Sequence, residues 1–244
     1  MKRIRGFSLI ELAIVLVIVT LLIGGLAVPL TAQIQARRIA ETKKTLEEAR
    51  EAIVGYAMTH TVDDGDPDTP RRPYLPCPDG DGDGIENRNP AGDCAQQMGW
   101  FPWVTLGTAE KDAWGNRLRY ATHNDLTDST QGFHAGSAPL PNDPRWNQVC
   151  SNQNCPNVDV AANVPVVLIS HGPNGWGALN ISGSTLTNPT SPNELKNIDW
   201  DRLFVSRTPI QAGDANEFDD LVTWLSFNVL VNRVCPAMGG CPPP

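Results

Sequence analysis

Between Phe7 and Leu30 the only charged side chain is Glu11. An uninterrupted apolar run of this kind constrains the chain more than any other feature, because roughly 20 such residues are what an α-helix needs to cross a bilayer. The run is preceded by a short basic stretch holding Lys2, Arg3 and Arg5. Glu11 lies near its start, where a carboxylate in lipid is costly and marks a functional position.

Three readings of this stretch explain different parts of it. A secretory signal peptide has a shorter apolar core followed by a small-residue cleavage site, and here small residues follow only as Gly24, Gly25 and Ala27. A plain signal anchor accounts for the length and the basic start, but not for Glu11. The third reading places a cut before the apolar run, between Gly6 and Phe7. A basic leader, Gly6, Phe7 and then SLIEL with its acid at Glu11 resembles the prepilin signal of the type IV pilin and type II secretion pseudopilin superfamily. The resemblance implies that prepilin peptidase cleaves after Gly6 and methylates the new amine of Phe7. It also implies that Glu11 meets the N-terminal amine of a neighbouring subunit in a filament core of bundled helices. Such an amine has a pKa of about 8, and methylation keeps its charge. A buried carboxylate left without its partner is strongly destabilising, so Glu11 would reward correct docking and penalise a wrong register. The alternative is that Glu11 snorkels to the head groups.

The chain has 244 residues and a formal charge of −8; loss of Lys2, Arg3 and Arg5 with the leader gives −8 − 3 = −11. An acidic surface argues against nucleic acid as the main partner and permits divalent cations. The 21 Pro and 21 Gly imply a loop-rich body. Six cysteines, Cys77, Cys94, Cys150, Cys155, Cys235 and Cys241, all lie beyond the apolar run. An even count there suggests disulfides in an oxidising compartment. Fifteen pairings are possible, and neighbours along the chain pair most economically: Cys77 with Cys94, Cys150 with Cys155, Cys235 with Cys241. No CxxC occurs and the four His are scattered, which disfavours zinc. The basic leader favours a cytoplasmic N-terminus. Arg37, Arg38, Lys43 and Lys44 weaken that bias, and the cysteines place the body in the periplasm or outside.

Past Pro29 the helix is expected to continue, since such breaks are tolerated where neighbouring helices repair the backbone. Ile39, Leu46 and Ile53 recur at heptad spacing with Ala49 and Tyr56 beside them, and charges fill the other face. This is an amphipathic helix ending near Thr61. Asp79, Asp81 and Asp83 then alternate with Gly up to Gly84. That is the first half of a calcium loop. Its twelfth position is Pro90, so Glu86 or Asp93 could complete it only by another loop path; the alternative is a solvated acidic turn. Trp100, Phe101 and Trp103 read as core or helix-packing residues, and RLRYATH after a WGN turn reads as a strand.

DAWGNRLRY, VPVVLISHGPNGWGA and EFDDLVTWLSF arrive in an order that is similar to the head of the type II secretion major pseudopilin. That resemblance implies a structural calcium held by Asn174, Asp219 and Asp220, with backbone carbonyls around Ser170. The chain departs from it at Pro173–Asn174 and in a long insert between Gly177 and Phe218. The stretches from Leu126 to Asn163 and from Asn180 to Asn197 read as long loops, the first tied by Cys150 and Cys155.

No catalytic constellation emerges. Ser170 and His171 are adjacent, and neighbours on a strand point to opposite faces. Neither sits in a GxSxG elbow, and there is no P-loop or dinucleotide fingerprint.

The expected fold is therefore α+β and pilin-like: a long N-terminal helix, half transmembrane and half amphipathic, packed on a small antiparallel sheet with disulfide-tied loops. The expected boundaries are leader 1–6, assembly helix 7–30, amphipathic helix 31–61 and periplasmic head 62–244. The expected role is a non-enzymatic filament subunit of a secretion pseudopilus or type IV pilus. It would be matured by prepilin peptidase, anchored first in the inner membrane and assembled with other pilin-like subunits, with calcium as a candidate cofactor. A tip adhesin or a cargo- or DNA-binding minor pilin is the alternative, and a membrane-anchored calcium-dependent enzyme a remote one.

Overall fold

The computed structural model describes residues 8–62, 71–140, 143, 145–210, 213, 215–237 and 241, with the side chains of 24–29, 236 and 237 excepted. The leader, Gly6 and Phe7 lie outside the described residues. The chain divides into two compact units, Met1–Ala40 and Glu41–Pro244. Its elements in order are α1 (Leu9–Thr59), β1 (Thr61–Val62), β2 (Arg72–Pro73), β3 (Met98–Trp100), α2 (Trp103–Leu106), β4 (Arg119–Thr122), β5 (Asn147–Cys150), β6 (Ala161–Val164), β7 (Val166–Ser170), α3 (Pro192–Leu195), β8 (Leu203–Val205), β9 (Leu221–Leu225) and α4 (Phe227–Ala237).

The described part of the first unit is helix from Leu9 onward. Ser8 opens α1 with a reciprocal cap: its hydroxyl accepts from the Glu11 amide at 3.3 Å, and Glu11 Oε2 accepts from the Ser8 amide at 2.8 Å. This is the capping-box arrangement, which satisfies two orphan donors of a helix start. The backbone stays helical through Gly24, Gly25 and Pro29. From Leu9 to Ile23 every large apolar side chain is exposed, from 42% at Val19 to 91% at Leu9. Among the described residues, no helix is long and apolar enough to cross a membrane.

The second unit is the α+β head. Its share of α1 buries Thr42, Leu46, Ala49, Ile53, Tyr56 and Ala57, the spacing of one apolar helical face. Thr42 adds a polar tie absent from the apolar pattern, its hydroxyl accepting from the Ala113 amide. Arg233 of α4 grips Glu51 through two 2.6 Å bonds. The helix stops at Thr59, two residues before Thr61, because β1 takes up the chain by pairing with β2.

Four strands form an antiparallel sheet in the order β3-β4-β7-β9. Strand β7, the VPVVLIS segment, is buried along its whole length, as expected for a central strand covered on both faces. Successive residues serve opposite faces. Val167 and Ile169 join Met98 and Ala121 in a cluster with Val149, Val164 and Phe204 of the second sheet. That second sheet, β6-β5-β8, contains a parallel pair, β5 beside β8.

Two segments expected to be loops therefore carry structure. Leu126–Asn163 contains β5 and most of β6, and Asn180–Asn197 contains α3, with β8 following it. Strands as short and polar as NQVC show no alternation strong enough to read. Their register comes from partners distant in sequence, a tertiary effect that overrides local preference. Phe101 is core as expected. Trp100 and Trp103 are half-buried beneath the guanidinium groups of Arg119 and Arg117, at 4.4 and 4.3 Å.

The cysteines pair as neighbours along the chain: Cys77–Cys94, Cys150–Cys155 and Cys235–Cys241. The first closes the acidic loop, and a loop of this size gains about 3 kcal/mol in the chain-entropy model.

Candidate functional site

Two groups of carboxylates in the head bring their oxygens within 4.8 Å of one another: Asp79 with Asp81 and Asp83, and Glu194 with Asp219 and Asp220. They differ in how their oxygens are occupied.

The Asp79 loop is folded around its first acid. Asp79 is fully buried, and its two oxygens accept from the amides of Asp81, Gly82 and Gly84. Burial raises its pKa while those amides oppose the rise. Gly84 has φ +87°, and a Cβ there would lie 2.4 Å from the Trp103 ring. The turn therefore needs glycine, as a calcium-type loop does. Asp81 and Asp83 remain exposed. Glu86, expected as a closing ligand, is turned elsewhere: it accepts from the Tyr56 hydroxyl at 2.7 Å, the Cys77 amide at 2.8 Å and Arg88 at 2.9 Å. Its charge is spent on joining α1, the disulfide loop and Arg88.

The second group is buried throughout. β7 delivers Ser170 and His171 to its end, and β9 begins directly after Asp219 and Asp220. Gly172, at φ +58°, turns the chain so tightly that a Cβ there would lie 2.7 Å from Asp219 Oδ1 and 2.3 Å from the Asp219 carbonyl oxygen. Glu194 arrives from α3, where Oε1 accepts from the Asp219 amide at 2.9 Å. Asp220 is held on both oxygens: Oδ2 accepts from Asn197 Nδ2 at 2.7 Å, and Oδ1 lies 3.3 Å from His171 Nδ1. Arg119 Nε donates to His171 Nε2 at 3.2 Å. That bond leaves the imidazole proton on Nδ1, facing Asp220.

Two oxygens of the group are left over. Glu194 Oε2 and Asp219 Oδ1 are buried and have no hydrogen-bond partner among the described residues. A buried acceptor without a donor costs about 1–3 kcal/mol, more when charged. The electrostatics show the same deficit. Burial, then the charge of Asp220, pushes the Glu194 carboxyl up to about 8. Burial, with Asp220 and Glu217 adding to it, pushes Asp219 up to about 7. Arg119, the cation behind His171, is itself lowered to about 10 by burial. Three buried carboxylates sharing one site with orphaned oxygens form a donor set that suits a hard cation.

Of the expected ligands, Asp219 and Asp220 come together here. Asn174 is adjacent but turned away: its amide donates to Asp219 Oδ2 at 3.1 Å, while its side-chain oxygen accepts from the Trp176 amide at 2.8 Å. Asn174 therefore shapes the turn. Glu194 and Asn197 are the residues that sequence reasoning missed. Both lie in the insert, whose composition reads as a loop, and no local spacing connects them to Asp219. Ser170 and His171 part company as expected, with Ser170 donating to Asp112 Oδ2 at 2.6 Å and His171 facing Asp220. Cys150, Cys155 and Asp159 also lie close together, but both sulfurs are in a disulfide.

In the first unit, Glu11 is exposed and receives both Ser8 bonds on Oε2, at 2.8 and 2.9 Å. It is a lone acid on an otherwise apolar stretch of helix. Residues 1–27 match the family model described as the prokaryotic N-terminal methylation motif. No curated protein and no solved structure matches the chain. The chain thus carries the prepilin-type N-terminal signal of the type IV pilins and pseudopilins.

Proposed function

We propose that the protein is a structural subunit of a type IV pilus-like filament or a type II secretion pseudopilus. Prepilin peptidase cleaves after Gly6 and methylates Phe7, and the subunit assembles with its like through residues 7–30 after release from the inner membrane. The observation that carries this reading is the pairing of the methylation motif with a continuous helix whose large apolar side chains, Leu9 to Ile23, are exposed among the described residues. Apolar surface of that extent is stable only in lipid or against other helices. Glu11, the lone charge among them, then finds its counter-ion in the N-terminal amine of a neighbouring subunit.

In the head, the Glu194–Asp219–Asp220 group holds calcium. Its role is structural: it joins the insert to the sheet where α3, β7 and β9 converge. The Asp79 loop keeps its shape through its own amides and disulfide.

Glu11→Ala tests the assembly reading. We predict normal cleavage, an unchanged head melting temperature and a loss of incorporation when the variant is co-expressed with the filament machinery. Incorporation at the unsubstituted level would remove the role assigned to Glu11.

A further inference from the structure

A cavity of about 360 Å³ opens in the head between the two sheets, far in sequence from the assembly helix and lined by none of the clustered carboxylates. Its floor is apolar, made by Met98, Ala121 and Phe204. Its wall is built from neutral amides. Asn147 is 2% exposed, yet its Nδ2 has no hydrogen-bond partner among the described residues, and the same holds for Asn124 Oδ1. Two residues that each hold a buried, unused polar atom thus line one cavity. Trp200 also lines it and is 60% exposed. A large aromatic left that open, beside a cavity with unspent polar groups, has the composition of a small-molecule site.

The lining residues include a single ionisable one, Arg202. It is held in the left-handed region at φ +67°, a conformation costly for a residue with a side chain and found where function or context demands it. Its two terminal nitrogens already donate to the Arg145 carbonyl and to Gln97 Oε1. Asp125 and Asp143 act on its charge from nearby. An anion entering the cavity would therefore meet a guanidinium whose terminal nitrogens are already bonded. A neutral ligand would not need that charge.

We propose that this cavity binds a neutral, hydroxyl-rich ring, a single hexose unit of a glycan. A hydroxyl both donates and accepts, which is what Asn124 Oδ1 and Asn147 Nδ2 each lack. The weakly positive C–H face of a pyranose suits the negative face of the Trp200 indole. The volume lies at the small end of ligand cavities, enough for one ring. The subunit would then carry a saccharide-recognition site on its head, separate from its assembly helix and from its metal group.

The test uses the full-length protein in a zwitterionic detergent without a sugar head group, titrated with D-glucose, D-galactose and N-acetyl-D-glucosamine and followed by saturation-transfer NMR and calorimetry. We expect saturable millimolar binding of at least one of the three. Trp200→Ala should weaken it at least tenfold without moving the melting temperature, since Trp200 is mostly exposed. Asn124→Ala should weaken it as well, and it decides the matter if Trp200→Ala does not fold. Sodium sulfate should not compete. Absence of binding by all three sugars, binding indifferent to the variants, or displacement by sulfate would each overturn the proposal.

Discussion

Residues 12–23 of α1 and strand β7 are both runs of Val, Ile and Leu, yet they have opposite fates. Every large apolar side chain of the first is at least 42% exposed, whereas every residue of β7 is buried at 0%. Composition does not separate them. Strand β7 finds β4 and β9 beside it and the Val149–Phe204 cluster over one face, all within its own chain. Among the described residues, the large side chains of the apolar helix stay exposed. The same hydrophobic free energy, about 25 cal/mol per Å² of apolar surface buried, is therefore realised on folding in one region and remains available for association in the other.

The sharpest way to break this comparison is to place a charge in each region. Ile169→Asp buries an unpaired carboxylate in the centre of the sheet and should cost more than about 4 kcal/mol. No cooperative head transition should remain in thermal unfolding. Val17→Asp should leave the melting temperature of the head where it was. Truncation should show the same asymmetry more mildly. Ile53→Ala, at the buried face of α1, should cost about 2–5 kcal/mol. Ile18→Ala should stay within about 0.5 kcal/mol. A comparable loss at both positions in denaturant melts would mean that the apolar helix is supported by its own head.

The Glu194–Asp219–Asp220 group is expected to matter less than the core but more than surface pairs. Calcium at a hundred times its dissociation constant stabilises by about 2.7 kcal/mol if it binds only the folded state. A chelator should therefore lower the melting temperature by several degrees, and Asp219→Asn should abolish the response. Insensitivity of the unsubstituted protein to both calcium and chelator would remove the ion from the head.

A smaller effect follows from pH in the chelated protein. Glu194 and Asp219 have pKa values raised in the folded state to about 8 and about 7. Their folded forms therefore hold protons that the unfolded chain releases. Stability contributed by these protons is full below the ordinary carboxylate range and is lost as pH rises toward about 8. The chelated melting temperature should fall across that window, and saturation with calcium should flatten the fall. A rise with pH in the chelated protein would contradict the arrangement.

What was legible in the sequence follows the range of the interactions. The spacing of Leu46, Ala49, Ile53 and Tyr56 is written within a few helical turns, and the structure buries all four. The β-branched VPVVLIS run announces a buried strand in the same local way. The cysteines pair with their sequence neighbours, a short-range outcome as well. Glu86 misled because loop spacing says nothing about Tyr56, which takes its carboxylate from thirty residues upstream. Glu194 was invisible for a related reason. It reaches Asp219 across 25 residues, from a helix of four residues set in a stretch of Ser, Thr, Asn and Pro. Strands β5 and β8 pair in parallel across 55 residues, and strands of four and three residues carry no period by which to find them. The Asp219–Asp220 pair was legible as acids, but the orphaned oxygens that distinguish a site from a solvated turn exist only in three dimensions.

The central claim is that the apolar helix is an assembly element released by leader cleavage, and the mature N-terminus tests it most directly. Intact-mass and N-terminal peptide mass spectrometry of the protein from cells containing prepilin peptidase should show a chain beginning at Phe7 with one added methyl group on its amine. A chain that still begins at Met1 under those conditions would contradict the account.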